Sequence, residues 1–121
     1  MVGQKQNLGR WGEDRAAEYL REKGYEILER NIRTEFGEID LLARQASTLV
    51  FVEVKVRSTQ AYGHPEESVS LVKQQHMADA AESYLQAHPE IDGGWRVDVI
   101  AVSRRKNQAP EILHVENALA E

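Results

Sequence analysis

Two acids and a lysine stand at spacings that could build a metal-dependent hydrolytic site. Asp40 lies in the segment Gly37–Ala43, whereas Glu53 and Lys55 alternate with valines in the segment Leu49–Arg57. Residues two apart in an extended strand share a face, so Glu53 and Lys55 are expected to point the same way. If the two segments form a hairpin that turns near residues 46–47, Asp40 comes within a pair or two of Glu53 across the strands. The three charges would then meet in the most apolar hairpin of the chain.

Charges in such a position need compensation, because burying an unpaired charge costs several kcal/mol. A salt bridge from Lys55 to either acid on a solvent face is one alternative, but it does not explain the hydrophobic runs that flank both acids. The other alternative is a divalent cation held by the two carboxylates. Mg²⁺ prefers oxygen ligands and keeps several waters, so one or two carboxylates suffice. Lys55 would then lie beside a metal-bound water or a substrate phosphate.

Two more charged residues fall on helix faces that are otherwise apolar. At about 100° per residue, Glu13 lies among the small and apolar residues of the segment 8–23. Taken alone, it could be a partly buried carboxylate satisfied by one local basic group. Lys73 shares a face with apolar residues of the segment 65–87. It could neutralise the acids or bind a phosphate, although a single lysine more often extends past apolar neighbours to solvent.

Composition excludes several classes of protein. The 121 residues, of which 41% are hydrophobic and 29% charged, predict one globular domain over residues 1–121. No run approaches the ~20 apolar residues of a membrane span, so no membrane partner is expected. The chain has no cysteine, which excludes thiolate zinc sites and cysteine nucleophiles. It also fits a reducing compartment, and we expect a cytoplasmic protein.

The charge distribution argues at first against a nucleic-acid partner. The net charge is −5, the wrong sign for binding DNA by bulk electrostatics. Basic and acidic residues number 10 and 10 over residues 1–60, but 5 and 10 over residues 61–121. Contacts with an anion are therefore expected mainly in the first half.

The elements that must position these residues follow an α-β-β-β-α-β-β order. The sequence predicts helices at 8–23 and 65–87 and strands at 25–34, 37–43, 48–57, 95–102 and 111–115. This order is typical of an α/β domain with a mixed β-sheet flanked by helices. Arg96 and Asp98 lie two apart in one strand, so they share a face and predict a structural pair at the sheet edge.

These motifs resemble a known group of enzymes. Gly37-Glu38-Ile39-Asp40 followed by Phe51-Val52-Glu53-Val54-Lys55 is similar to the D-x(n)-E-x-K core of the PD-(D/E)xK nuclease superfamily. Ile39 replaces the proline of that name, at a position that supplies no ligand. Over nearly its whole length the chain resembles the uncharacterised YraN-like bacterial family. The further matching positions are Gly9, Gly12, Glu13, Ala16, Ala17, Gly24, Tyr25, Arg30, Asn31, Arg57, Gly63, Pro65, Glu66, Lys73, Arg96, Asp98 and Val99.

The resemblance implies a restriction-endonuclease-like fold and an endonuclease, dependent on Mg²⁺ or Mn²⁺, that hydrolyses phosphodiester bonds in DNA. The archaeal Holliday junction resolvases, which are small and carry a glutamate on the first helix, make branched DNA a candidate substrate. Asp40, Glu53 and the Val54 carbonyl would bind the metal, and Glu13 would bind it directly or through water. Lys55 would orient or deprotonate the attacking water.

The remaining charged positions have supporting roles in this scheme. The basic residues Arg33 and Arg57 and the turn 104–106 would contact phosphate. Lys73, Arg96 and Asp98 would contact phosphate or support the residues that do. Symmetric cleavage of a four-way junction would call for a homodimer. The alternatives are a non-catalytic nucleic-acid-binding or scaffold module with the same fold, and a protein-interaction module in which the charges form a structural network.

Overall fold

The computed structural model of the chain describes residues 4–57 and 71–119. Within them the elements are α1 (Gln4–Glu22), β1 (Glu26–Thr34), β2 (Gly37–Gln45), β3 (Thr48–Arg57), α2 (Leu71–Ala87), β4 (Trp95–Ser103) and β5 (Glu111–Val115). The predicted order α-β-β-β-α-β-β is confirmed. The predicted helix start at residue 65 lies outside the described residues. Neither described helix combines the length and the apolar character needed to cross a membrane.

The five described strands form one mixed sheet in the order β1-β2-β3-β4-β5. The β1–β2, β2–β3 and β4–β5 pairs are antiparallel, and β3–β4 is parallel. A two-residue turn joins β2 to β3, since Gln45 pairs with Thr48. Ala46 supplies the left-handed conformation of this turn, with φ 53°. The mixed sheet is thus confirmed, and its hairpin closes without the Asn-Gly pair that such turns favour.

The two described helices pack on opposite faces of the sheet. Small and apolar residues of α1 pack on one face, where the buried set includes Ala16, Ala17, Leu20, Leu41, Val50, Val52, Ile100 and Val102. Residues of α2 pack on the other face, where the set includes Ile39, Leu42, Phe51, Ala80, Ala81, Tyr84 and Val97. Strand alternation divides the central strands between these two layers, as expected for a sheet buried on both sides.

Gly12 sets the distance between α1 and the sheet. A Cβ atom at this position would overlap the Val56 side chain of β3. Because glycine has no Cβ, the helix backbone comes into direct contact with the strand, and the next residue, Glu13, is held at the sheet surface. Glycine at position 12 therefore helps to position the Glu13 carboxylate.

The sheet forks where the candidate site lies. The β2–β3 pairing reaches only to Leu41 and Val52, whereas β2 stays paired with β1 as far as Gly37. Strict alternation, expected along residues 38–43, does not hold past Leu41, because Ile39 packs in the same layer as Leu42. The break in alternation coincides with the end of the β2–β3 pairing, and Asp40 is the first β2 residue past it.

Candidate functional site

Three carboxylates from two elements converge at the fork. Glu13 on α1 and Glu38 and Asp40 on β2 each place an oxygen within 4.8 Å of the other two. We call this group the acidic triad. The side chain of Glu13 is 18% exposed and that of Glu38 is 43% exposed, so the triad is partly buried and open to solvent on the Glu38 side. Carboxylate oxygens at this separation could hold a metal ion.

Asp40 ties the triad to β3. Its Oδ2 accepts a hydrogen bond of 2.8 Å from the N–H of Val54, two residues beyond the last β2–β3 pair on β3. Burial of the carboxyl raises the pKa of Asp40 to about 7, and the charges of Glu53, Glu13 and Glu38 act in the same direction. The Val54 N–H opposes this shift of the pKa by favouring the charged form. With a pKa of about 7, the Asp40 carboxyl changes its protonation state near neutral pH.

Strand β1 positions the Glu13 carboxylate. With its NH₂ group turned to Glu13, the Asn31 amide donates to Oε1 at 3.1 Å and to Oε2 at 3.3 Å. Asn31 has φ 55°, a left-handed conformation that asparagine adopts more readily than most residues. Burial raises the pKa of Glu13, while Arg30 and Asn31 oppose the rise.

Arg30 is the local basic group expected for a partly buried Glu13. Its Nη2 lies 3.7 Å from Glu13 and 2.7 Å from Asp14, so its shorter contact is with the more exposed acid. Arg30 thus offsets part of the triad's charge and leaves Glu13 oxygens close to Asp40 and Glu38.

Glu53 and Lys55 form an ion pair beside the triad. The Lys55 Nζ lies 3.7 Å from Glu53 Oε2, with side-chain exposures of 16% and 14%. The salt-bridge alternative placed this pair on a solvent face. In the structure both side chains are instead largely buried. Glu53 is close enough to Asp40 for its charge to raise the pKa of that carboxyl. Glu53 also borders a cavity of about 20 Å³ under α2, enough for about one water.

The other expected residues differ in their position relative to the triad. Arg33 is 91% exposed and lies 4.0 Å from Glu38 at the rim. Arg57 lies at the end of β3, next to Arg104, whose N–H donates to the Arg57 carbonyl at 2.7 Å. The side chain of Lys73 lies outside the described residues, as do Gly63, Pro65 and Glu66 of the matching motif.

Arg96 and Asp98 form the expected pair, but not at a sheet edge. Arg96 Nε and Nη2 donate to the two Asp98 oxygens at 2.9 and 3.2 Å. The edge placement is wrong, because β4 lies between β3 and β5 and the Asp98 side chain is fully buried. Arg96 also donates to the Tyr25 hydroxyl at 2.9 Å, which ties β4 to the start of β1.

His114 completes this buried network, and sequence reasoning missed it. Its Nε2 donates to Asp98 Oδ2 at 2.7 Å, and its Nδ1 lies 3.1 Å from the Tyr19 hydroxyl of α1. Burial opposes the charged form of Asp98, but hydrogen bonds from His114, Arg96 and the Asn117 N–H lower the pKa of Asp98. The network joins α1, β4 and β5 and lies apart from the acidic triad.

Sequence reasoning also left Glu38 out of the candidate ligands. Its spacing of two residues from Asp40 was a usable signal, because it predicts a shared strand face. The structure places Glu38 in the triad.

Comparison with known proteins identifies the family of the chain. Residues 12–102 match the uncharacterised protein family UPF0102. The chain belongs to this family. A UPF0102 protein of Syntrophotalea carbinolica is 49% identical over 119 residues, which cover 98% of this chain and 95% of the relative. UPF0102 proteins of Desulforapulum autotrophicum (47%; 88% of each chain) and Caldicellulosiruptor saccharolyticus (40%; 94% of this chain, 98% of the relative) also match. The YraN-like resemblance is thereby confirmed.

A solved structure shows a weaker likeness. The structure of Pyrococcus furiosus SfsA in complex with Ca²⁺ aligns with a TM-score of 0.40 and 17% identity. The aligned region covers 93% of this chain, which spans 63% of the length of that one.

The raised pKa of Asp40 predicts that metal binding depends on pH. Binding displaces the Asp40 proton, so Ca²⁺ affinity should rise up to about tenfold per pH unit towards pH 7 and level off above it. The native pKa exceeds the unfolded one, so the metal-free protein should lose stability as pH rises from about 4 to about 7. Calorimetric Ca²⁺ titrations at pH 6, 7 and 8 measure the affinity, and urea unfolding measures the stability. Equal affinity at pH 6 and 8 would contradict the expectation.

Proposed function

We propose that the chain is a Mg²⁺- or Mn²⁺-dependent endonuclease that hydrolyses phosphodiester bonds in DNA. The observation that carries the proposal is the Asp40 carboxylate, which meets Glu13 and Glu38 on one side and accepts the Val54 N–H on the other. The same carboxylate feels the charge of Glu53, which is paired with Lys55. An oxygen-rich site beside a lysine is the arrangement expected for attack on a phosphodiester by water.

The donor set of the cleft suits a hard divalent cation. Asp40, Glu53 and the Val54 carbonyl are the proposed ligands, with Glu13 binding directly or through water. Glu38 joins this set because its oxygen lies within the triad. All of these donors are oxygen atoms, which favours Mg²⁺ or Mn²⁺ over softer metals. Such a cation supplies Lewis-acid activation of the phosphate and lowers the pKa of a bound water.

The protein groups around the donors position the ligands, orient the attacking water and contact the phosphate. Asn31 holds both Glu13 oxygens, so this carboxylate needs little reorganisation to meet a ligand. Lys55 is positioned by Glu53 at 3.7 Å, where its ammonium group can orient the attacking water and offset charge that develops on the phosphate. Arg33 at the rim is a further phosphate contact in this proposal.

The Lys55→Ala variant tests the catalytic part of the proposal. We expect metal binding to persist, because the carboxylates remain, while the cleavage rate falls by about 10²-fold or more. The assay compares linear, nicked, flap and four-way-junction DNA with Mg²⁺ and with Mn²⁺, and calorimetry with Ca²⁺ reports metal binding. Arg44→Ala, at an exposed arginine near the opposite end of β2, is the matched control.

Two results would contradict the proposal. The first is a Lys55→Ala rate equal to that of the wild type. The second is a wild-type protein that binds the metal but cleaves none of these DNAs, which would favour the non-catalytic nucleic-acid-binding alternative.

A branched substrate brings a further requirement. Four-way junctions are symmetric, so paired cleavage needs two active sites related by a twofold axis. We therefore propose a cytoplasmic homodimer of one-domain subunits as the form that acts on junctions.

A further inference from the structure

The C-terminal ends of β3 and β4 carry a concentration of positive charge outside the acidic triad. Three of the five basic residues of 61–121 follow β4 in one run, Arg104-Arg105-Lys106. Arg57 ends β3 beside them, since β3 and β4 are parallel and Arg57 pairs with Ser103. We call Arg57, Arg104, Arg105 and Lys106 the basic edge. Within the described residues, the β4–β5 pairing places Glu111 opposite Ser103, so the run 104–106 carries three positive charges next to this acid, in a chain of net charge −5.

The backbone of the basic edge is held in place. The Arg104 N–H donates to the Arg57 carbonyl at 2.7 Å, which extends the parallel β3–β4 pairing by one step. Arg105 donates from Nε and Nη2 to the Ala109 carbonyl at 3.2 and 2.9 Å and closes the turn. Asn107 supplies the left-handed residue of the turn, with φ 58°. These contacts fix the backbone of the turn and leave the Arg104 and Lys106 side chains exposed.

Trp11 orients the exposed Arg104 guanidinium. The guanidinium carbon lies 5.8 Å from the ring centroid, within the range of a cation–π contact. The Trp11 side chain packs in turn against the α1-side core. An arginine stacked in this way loses less side-chain entropy when it binds an anion, because part of that cost is met in the free protein.

The basic edge continues the line of the proposed active site. Gly12, next to Trp11, packs on Val56 near the end of β3, and Arg57 lies four residues after Glu53 on the same strand. At about 3.3 Å per residue, Arg57 is roughly 13 Å along the strand from Glu53. One strand of duplex DNA advances about 3.4 Å per nucleotide, so this distance corresponds to about four nucleotides.

We infer that the basic edge binds the phosphate backbone of duplex DNA to one side of the phosphodiester held at the acidic triad, with Arg104 as its stacked anchor. This inference rests on the proposed nuclease function for the placement of the DNA. A duplex fits better than a single strand, because Arg104 stands over the Trp11 ring that a base would need for stacking. The charges present would contact phosphates, which carry no sequence information, so recognition at this edge is independent of sequence.

Equilibrium binding without metal tests the inference apart from cleavage. Fluorescence anisotropy with a labelled 20-base-pair duplex in EDTA, at about 50 to 200 mM KCl, gives the slope of log K against log salt concentration. Arg104→Ala should weaken binding several-fold and reduce the magnitude of the slope by about 0.9, the effect of one lost phosphate contact. Arg104→Lys should keep the slope, and Arg44→Ala should match the wild type. Lys106→Ala, at a second exposed position, should reduce the magnitude of the slope in the same way. This second variant keeps the test decisive if Arg104→Ala folds poorly.

The outcomes separate the two proposals. A salt slope that depends on Arg104 and Lys106 supports the basic edge even if no DNA is cleaved under any metal condition. Unchanged binding by both alanine variants overturns the basic edge even if the wild type is an active nuclease. Tighter binding of the single strand than of the duplex, or of an RNA duplex than of DNA, overturns the assignment to duplex DNA.

Discussion

The Asp40→Asn variant should lose DNA cleavage by about 10³-fold while folding at least as stably as the wild type in metal-free buffer. Asparagine keeps an oxygen that can accept the Val54 N–H, so the hydrogen bond of 2.8 Å has a replacement. It removes one negative charge from a site that already contains Glu13 and Glu38. Metal affinity and turnover should fall together, because both depend on that charge.

The gain in stability has a defined sign and pH range. Above pH 7 the wild-type carboxyl is ionised against burial and against neighbouring charges, whereas asparagine carries no charge. Urea unfolding at pH 8 in EDTA should therefore give the variant a free energy of unfolding of the order of 1–3 kcal/mol above the wild type. The difference should shrink towards pH 5, where the wild-type carboxyl is protonated.

Asp92→Asn is the matched control, because Asp92 is exposed and lies in the loop before β4. It should cleave DNA and bind Ca²⁺ as the wild type does. Equal Ca²⁺ affinity in the wild type and in Asp40→Asn would remove Asp40 from the metal site, and most of the support for a nuclease would go with it.

The Asp98→Ala variant should lose about 3–5 kcal/mol of folding stability, the usual cost of removing one partner from a buried charged network. Asp98 accepts hydrogen bonds from Arg96, His114 and the Asn117 N–H, and all three donors would lose their acceptor. A domain of this size has a total stability of roughly 5–15 kcal/mol, so the variant should be close to unfolded at 37 °C.

Chemical denaturation at pH 7 measures the loss directly. Asp98→Asn retains an acceptor oxygen and should lose less than Asp98→Ala, which separates the hydrogen bonds from the charge. The metal affinity of folded Asp98→Asn should equal that of the wild type, because the network lies apart from the triad. A loss below about 1 kcal/mol for Asp98→Ala would show that its buried donors find other partners.

Local patterns were sufficient for the elements and for part of the site. Alternation of valines with Glu53 and Lys55 predicts β3, and the two-residue spacing of Arg96 and Asp98 predicts their pairing, because both depend on neighbouring positions. The inward face of α1 likewise predicts where Glu13 points.

Contacts that depend on registers between distant strands could not be found in this way. His114 reaches Asp98 because β5 pairs with β4 in one particular register. The sequence between these two strands does not predict that register. Glu38 and Asp40 share a face as their spacing predicts, but alternation breaks between Asp40 and Leu41 at the fork, so the sequence does not predict that this face meets Glu13 of α1. The Asn31 amide meets Glu13 through a left-handed residue inside a strand, a conformation that propensity does not predict.

The order of strands in the sheet has a consequence for how the chain folds. β1, β2 and β3 are neighbours both in sequence and in space, so they can assemble as a meander through short loops. The parallel pairing of β3 with β4 joins strands that residues 58–94 separate along the chain, so bringing them together costs more entropy and is expected to be slower. Glu38, Asp40 and Glu53 all belong to the meander. We expect the meander to form first, because its contacts are local. The repulsion among its acids would then act before the Asp98 network forms, and a cation that relieves it should speed this early step rather than the last.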